Sequence, residues 1–145
     1  MEQTPFLDIL HKQFHREGVN PETYSPLALA YIGDAVYDLI IRTLFVEKGN
    51  SPAKKLHRQT IRFVKAAAQA KLILAIQEDL TEKELAIFKR GRNAKSSSIA
   101  KNADVHDYRN ATGFEALCGY LYLSKQLDRV IELIYIGFKR TNVLL

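Results

Sequence analysis

The chain has 145 residues, of which 47% are hydrophobic and 26% charged, with 7 Gly, 4 Pro and one Cys. These values exclude the disordered and fibrous classes, disfavour a turn-rich β-sandwich, and leave no disulfide framework or cysteine-rich zinc site. The net charge of +5 is segregated, because the stretch from Lys48 to Lys101 is strongly basic and the remainder is net acidic, a pattern suited to a polyanion-binding face.

In chain order the elements read as helices. Phe6, Ile9, Leu10 and Phe14 mark a short amphipathic helix over Pro5–His15. Arg16–Ser25, with Gly18, Asn20 and Pro21, is a loop. Ser25-Pro26 opens a long helix that runs to about Glu47 and stops at Gly49-Asn50. Ser51-Pro52 repeats that start signal for a helix from Ala53 to about Gln77. Thr81 and Glu84 form a capping box for a helix that fades near Gly91. Residues 91–106 read as a polar loop, and helices near 107–125 and 127–140 complete the chain. The expectation is an all-α bundle of about six helices in a single domain over residues 1–145. The acid-bearing N-terminus is not a signal peptide, and no charge-free window spans a membrane. With the lone Cys118, this points to a soluble cytoplasmic protein with no membrane partner.

Two carboxylates stand out. Asp34 follows Gly33 in the apolar segment LALAYIGDAVYDLIIR, and Glu115 lies among the small residues of ATGFEALCGYLYL. A carboxylate in an apolar interior is costly unless it is protonated, paired or bound to a metal. Two of them on long helices suit an oxygen-ligand Mg²⁺ site. Ion pairs to Arg42 and Arg109, or simple exposure, are the competing explanations. His11 and His15 read as surface residues, Ser96-Ser97-Ser98 as a polar turn, and Cys118 as a small apolar core residue. No phosphate-binding glycine loop is present.

The basic residues fall into two groups. Lys54, Arg58 and Arg62 follow i, i+4 spacing, with Lys55 beside them. Lys89, Arg90, Arg92, Lys95 and Lys101 lie in an acid-free stretch. Such a helix stripe and basic loop suit the phosphates of a duplex backbone. The aromatics are not interleaved with them, which favours shape recognition of a duplex over stacking on single strands.

LALAYIGDAVYDLIIR resembles the signature helix of ribonuclease III domains, and ATGFEALCGYLYL their second acidic helix. Together with FKRGRNAKSSS and KNADVHDYRNATGFEAL, over roughly residues 26–138, the chain resembles the Mini-III branch, which has a catalytic domain and no separate double-stranded-RNA-binding domain. The resemblance implies a helical, homodimeric endonuclease that cuts duplex RNA. Asp34 and Glu115 would be its catalytic pair and would hold Mg²⁺, with Mn²⁺ as a substitute. It implies precursor large-subunit ribosomal RNA as the substrate, with a ribosomal protein as a further candidate partner. Ala30 and Thr112 stand where the wider family has acids, so a non-catalytic RNA-binding or ribosome-associated module on the same fold is the alternative. A helical hydrolase of small phosphorylated molecules is a third reading, and the His-Asp clusters it calls for are missing.

Overall fold

The structure is a computed structural model, and it describes residues 6–95 and 104–145. Among these described residues seven α-helices follow one another: α1 Phe6–Gln13, α2 Pro26–Glu47, α3 Ala53–Val64, α4 Ala66–Ala75, α5 Glu82–Asn93, α6 Val105–Leu123 and α7 Leu127–Arg140. Short 3₁₀ turns lie at Pro21–Thr23 and Gln77–Asp79. There is no strand among the described residues, as the patterning predicts. Nor is any helix among them long and apolar enough to cross a membrane. Lys101 and the Ser96–Ser98 turn lie outside the described residues.

Local chemistry explains most boundaries. The Ser25 side chain accepts a hydrogen bond from the Ala28 N–H, and Pro26 occupies the first turn of α2. The chain leaves α2 through Gly49, whose φ of +140° favours glycine. Thr81 and Glu84 make both halves of the capping box of α5. Asp104 caps α6 by accepting from the N–H groups of His106 and Asp107, so α6 begins earlier than its apolar pattern suggests.

Two expectations are corrected. The helix foreseen over Ala53–Gln77 is two helices, because Lys65 adopts an extended conformation with φ −68° and ψ 153°. That break raises the count from six to seven. At the start of α3 the capping position is Pro52, and no side chain caps the helix. The Ser51-Pro52 signal is therefore displaced by one residue, although α3 begins where expected.

Helix α6 is the central element, packed between α2, α4 and α5. From Ala111 to Gly119 every residue is buried except Glu115, which is half-buried. A helix enclosed on all sides is apolar all round, and this is why the polar exception is informative. The main core gathers Tyr37, Ile41, Ile73, Phe88, Phe114, Leu117 and Leu121, with Leu133 and Phe138 from α7. Tyr37 and Phe114 meet edge to face at 5.2 Å between ring centroids. Cys118 is buried there as a packing residue, and burial pushes its thiol well above the usual range.

Candidate active site

The two carboxylates meet because α2 and α6 cross at glycines. A Cβ added to Gly33 would lie 1.7 Å from the Glu115 carbonyl oxygen, and one added to Gly119 would lie 2.0 Å from that of Leu29. Without side chains at these two positions the backbones touch, and the residue after Gly33 is carried against α6. Asp34 and Glu115 are thereby brought close enough to act on each other's charge.

Their environments differ. Asp34 is exposed, whereas Glu115 is half-buried. The expectation of an interior Asp34 is thus corrected: α2 buries Ala30, Gly33 and Tyr37 but turns Tyr31, Asp34 and Ala35 outwards. Burial pushes the Glu115 carboxyl up to about 9, with further contributions from a hydrogen bond to Asp34 and the charge of Asp34. A hydrogen bond from the Gln69 side chain works in the opposite sense. Burial and Asp34 thus both favour the protonated form of Glu115 in the metal-free protein. A cation at this point would replace that proton.

The neighbouring side chains are mostly committed. Arg42 bonds Asp38 at 2.8 Å, so it pairs with that acid rather than with Asp34. Buried Thr112 donates its hydroxyl proton to the Tyr108 carbonyl at 2.9 Å, leaving its oxygen only as an acceptor. Gln69 of α4 is 1% exposed and donates through Nε2 to the Val64 carbonyl at 3.1 Å. Sequence reasoning passed over Gln69, although an isolated amide in the apolar run AAAQAKLILA is the same kind of signal that marks Asp34 and Glu115.

The basic groups lie on two helices. Lys54, Lys55, Arg58 and Arg62 are exposed along α3, and Lys89, Arg90 and Lys95 are exposed at the end of α5 and just beyond it. Arg92 is half-buried, with its guanidinium 5.6 Å from the centre of the Phe88 ring. A second glycine contact fixes the end of α5. A Cβ at Gly91 would meet the Ala116 Cβ at 2.8 Å and the Gly113 Cα at 2.9 Å, so this basic terminus lies against the α6 turns around Glu115. Among the described residues no group of three or more His, Cys, Asp or Glu gathers as a metal cage. A groove of about 570 Å³ among the described residues is apolar and includes neither carboxylate. The acidic pair thus sits at an open surface, which suits a polymer more than an engulfed small molecule.

Residues 27–126 match the ribonuclease III domain family. A Mini-ribonuclease 3 of Clostridium tetani is 54% identical over 110 residues, covering 75% of this chain and 73% of that protein. One from Brevibacillus brevis is 48% identical over 119 residues, covering 82% of this chain and 89% of that protein. The crystal structure of a Fusobacterium nucleatum protein superposes with a TM-score of 0.72 at 32% identity, covering 81% of this chain and 93% of that one.

Proposed function

Because the chain belongs to the ribonuclease III family, in its Mini-ribonuclease 3 branch, we propose that Asp34 and Glu115 are the catalytic pair with which this endoribonuclease hydrolyses double-stranded RNA. The observation that carries the reading is the glycine crossing of α2 and α6, which places an exposed and a half-buried carboxylate in contact beside the buried amide of Gln69. The substrate we assign is precursor large-subunit ribosomal RNA in the cytoplasm, with a ribosomal protein as a candidate partner. Leu27 and Tyr31 are exposed on the same side of α2 as Asp34, Tyr31 to 83%. An open apolar patch of this kind supports a homodimer that places two such sites on one duplex.

The donor set fits Mg²⁺, with Mn²⁺ as a substitute. Mg²⁺ takes hard oxygen ligands, retains several waters and needs only one or two carboxylates. Asp34 and Glu115 would hold it, and the acceptor oxygens of Thr112 and Gln69 suit the protons of retained waters. Such an ion supplies Lewis acidity, lowering the pKa of a water and stabilising charge on the phosphate. The chain supplies the rest. Asp34, at the surface, is the carboxylate a phosphodiester meets first. Glu115, half-buried, would bind the cation as a carboxylate, its proton released to solvent. The phosphates are positioned by Lys54, Lys55, Arg58 and Arg62 on one side and by Lys89, Arg90, Arg92 and Lys95 on the other.

The decisive experiment incubates a generic RNA duplex with wild type and Asp34→Asn, each with Mg²⁺ and with chelator. Cleavage by wild type with Mg²⁺ alone is expected, with duplex binding retained by Asp34→Asn. Metal-dependent cleavage by Asp34→Asn would remove Asp34 from the mechanism. Binding without cleavage by either protein, on structured ribosomal RNA as well, would favour a non-catalytic module.

A further inference from the structure

A primary amide offers two N–H donors and one carbonyl acceptor, and the surroundings of Gln69 use these unequally. Nε2 donates to the Val64 carbonyl at 3.1 Å, the last residue of α3 before the break at Lys65. The same side chain acts on the Glu115 carboxyl, opposing the rise that burial imposes. Nε2 is thus engaged, while Oε1, buried, has no partner among the described residues. An unpaired buried amide oxygen forfeits its hydration with nothing in return. An apolar side chain of the same length would avoid that cost, and the alanine-rich helix around Gln69 has no need of an amide. The unpaired oxygen belongs to the amide that acts on Glu115, one of the acidic pair.

We propose that Gln69 is a positioning residue for the nuclease site: its amide N–H fixes the Glu115 carboxyl, and Oε1 accepts a hydrogen bond from a water held at the Asp34–Glu115 pair. Gln69 also joins two parts of the molecule, because its other bond secures the end of the basic helix α3. A hydrogen bond that orients a ligating carboxylate typically changes metal affinity or activity by about 10- to 100-fold when removed. The inference rests on the assignment of Asp34 and Glu115 as the metal-holding pair.

The test compares wild type, Gln69→Met and Asp34→Asn. Methionine keeps the length of the side chain and removes both polar functions. Three quantities are read: the melting temperature in chelator, duplex-RNA binding in chelator, and the Mg²⁺ concentration giving half of the metal-induced rise in melting temperature. For Gln69→Met the expected result is near-normal duplex binding, with at least a roughly tenfold higher half-saturating Mg²⁺. A residue that merely caps Val64 would lower the melting temperature in chelator and leave the Mg²⁺ midpoint in place, and that result overturns the proposal. Should Gln69→Met not fold, the side-chain amide ¹⁵N resonance of Gln69 in wild type is followed during Mg²⁺ addition. A shift saturating with the metal supports the role, and an unmoved resonance refutes it. Loss of the Mg²⁺ response in Asp34→Asn but not in Gln69→Met would sink this inference alone. A normal response in Asp34→Asn would sink the site assignment and the inference together.

Discussion

Glu115 carries a strongly raised carboxyl, and its consequences can be followed by pH. Its carboxyl is raised to about 9 in the folded chain by burial and by Asp34, while in the unfolded chain it ionises near the ordinary glutamate value of about 4.3. Between those values the folded state holds a proton that the unfolded state has released. Stability from this group is thus complete below the unfolded value and is lost as pH rises through about 9. In chelator, the melting temperature of wild type is expected to fall from pH 5 to pH 9 more steeply than that of Glu115→Gln, and equal slopes would refute the shift. Both carboxylates stand out in the sequence, because each interrupts an apolar helix. Which one is exposed was not legible there. The residues of α2 are apolar around most of its circumference, so periodicity alone does not separate the face of Asp34 and Tyr31 from that of Gly33 and Tyr37.

The crossing of α2 and α6 makes a direct prediction for whole elements. In Gly33→Ala the new methyl would lie 1.7 Å from the Glu115 carbonyl oxygen, so the two helices must part and take Asp34 away from Glu115. Overpacking of this kind costs about 1–3 kcal/mol or more, and cleavage should fall much further than stability. Gly18→Ala is the control, since its nearest neighbour would be His11 at 3.7 Å, and both activity and melting temperature should stay close to wild type. Equal behaviour of the two variants would show that the crossing does not set the site. A second prediction concerns α5 and α7. Glu84, only 5% exposed, accepts from the Arg129 guanidinium through two bonds of 2.9 Å, and Arg129 also reaches the Asp79 carbonyl at 2.8 Å. Burial would raise the Glu84 carboxyl, but Arg129 and the bonds from Thr81 hold it below the usual range. Arg129→Met leaves that acid buried and unpaired, an expected loss of about 3 kcal/mol in denaturant unfolding, with the cleavage rate of the folded enzyme unchanged. The Thr81–Glu84 cap was readable from spacing, whereas the partner forty-five residues away was not. The break at Lys65 was also hidden, because KAAAQAKL contains no Pro or Gly and favours helix throughout. It is held by a contact distant in sequence, Tyr37 donating its hydroxyl to the Phe63 carbonyl at 3.0 Å, and by Gln69 bonding the Val64 carbonyl.

For the molecule as a whole, charge segregation becomes charge commitment. Among the described residues, the bases found in ion pairs are Arg42, Lys83, Lys125, Arg129 and Arg140, bound to Asp38, Glu22, Asp8, Glu84 with Glu132, and Asp79. None of them belongs to the two basic groups proposed to contact RNA. The acids thus neutralise bases elsewhere and leave α3 and the end of α5 with uncompensated positive charge, the arrangement that binds phosphates by counterion release. Arg92 is the exception in kind: its guanidinium lies over Phe88 and its Nε donates to Asn93 at 3.2 Å, so its replacement would perturb packing as well as charge. The cleaner test is Arg58→Ala combined with Arg62→Ala, since both residues are exposed on α3 and alanine preserves the helix. Binding to RNA duplexes is measured in chelator over a range of salt concentrations. The slope of log affinity against log salt should shrink by about one unit per residue removed, and by the same amount for duplexes of unrelated sequence. Lys83→Ala, which removes a base already paired with Glu22, should leave the slope alone. If the double variant kept the wild-type slope, the phosphates would have to lie elsewhere, and the α5 terminus held by Gly91 against α6 would be the surface to test next.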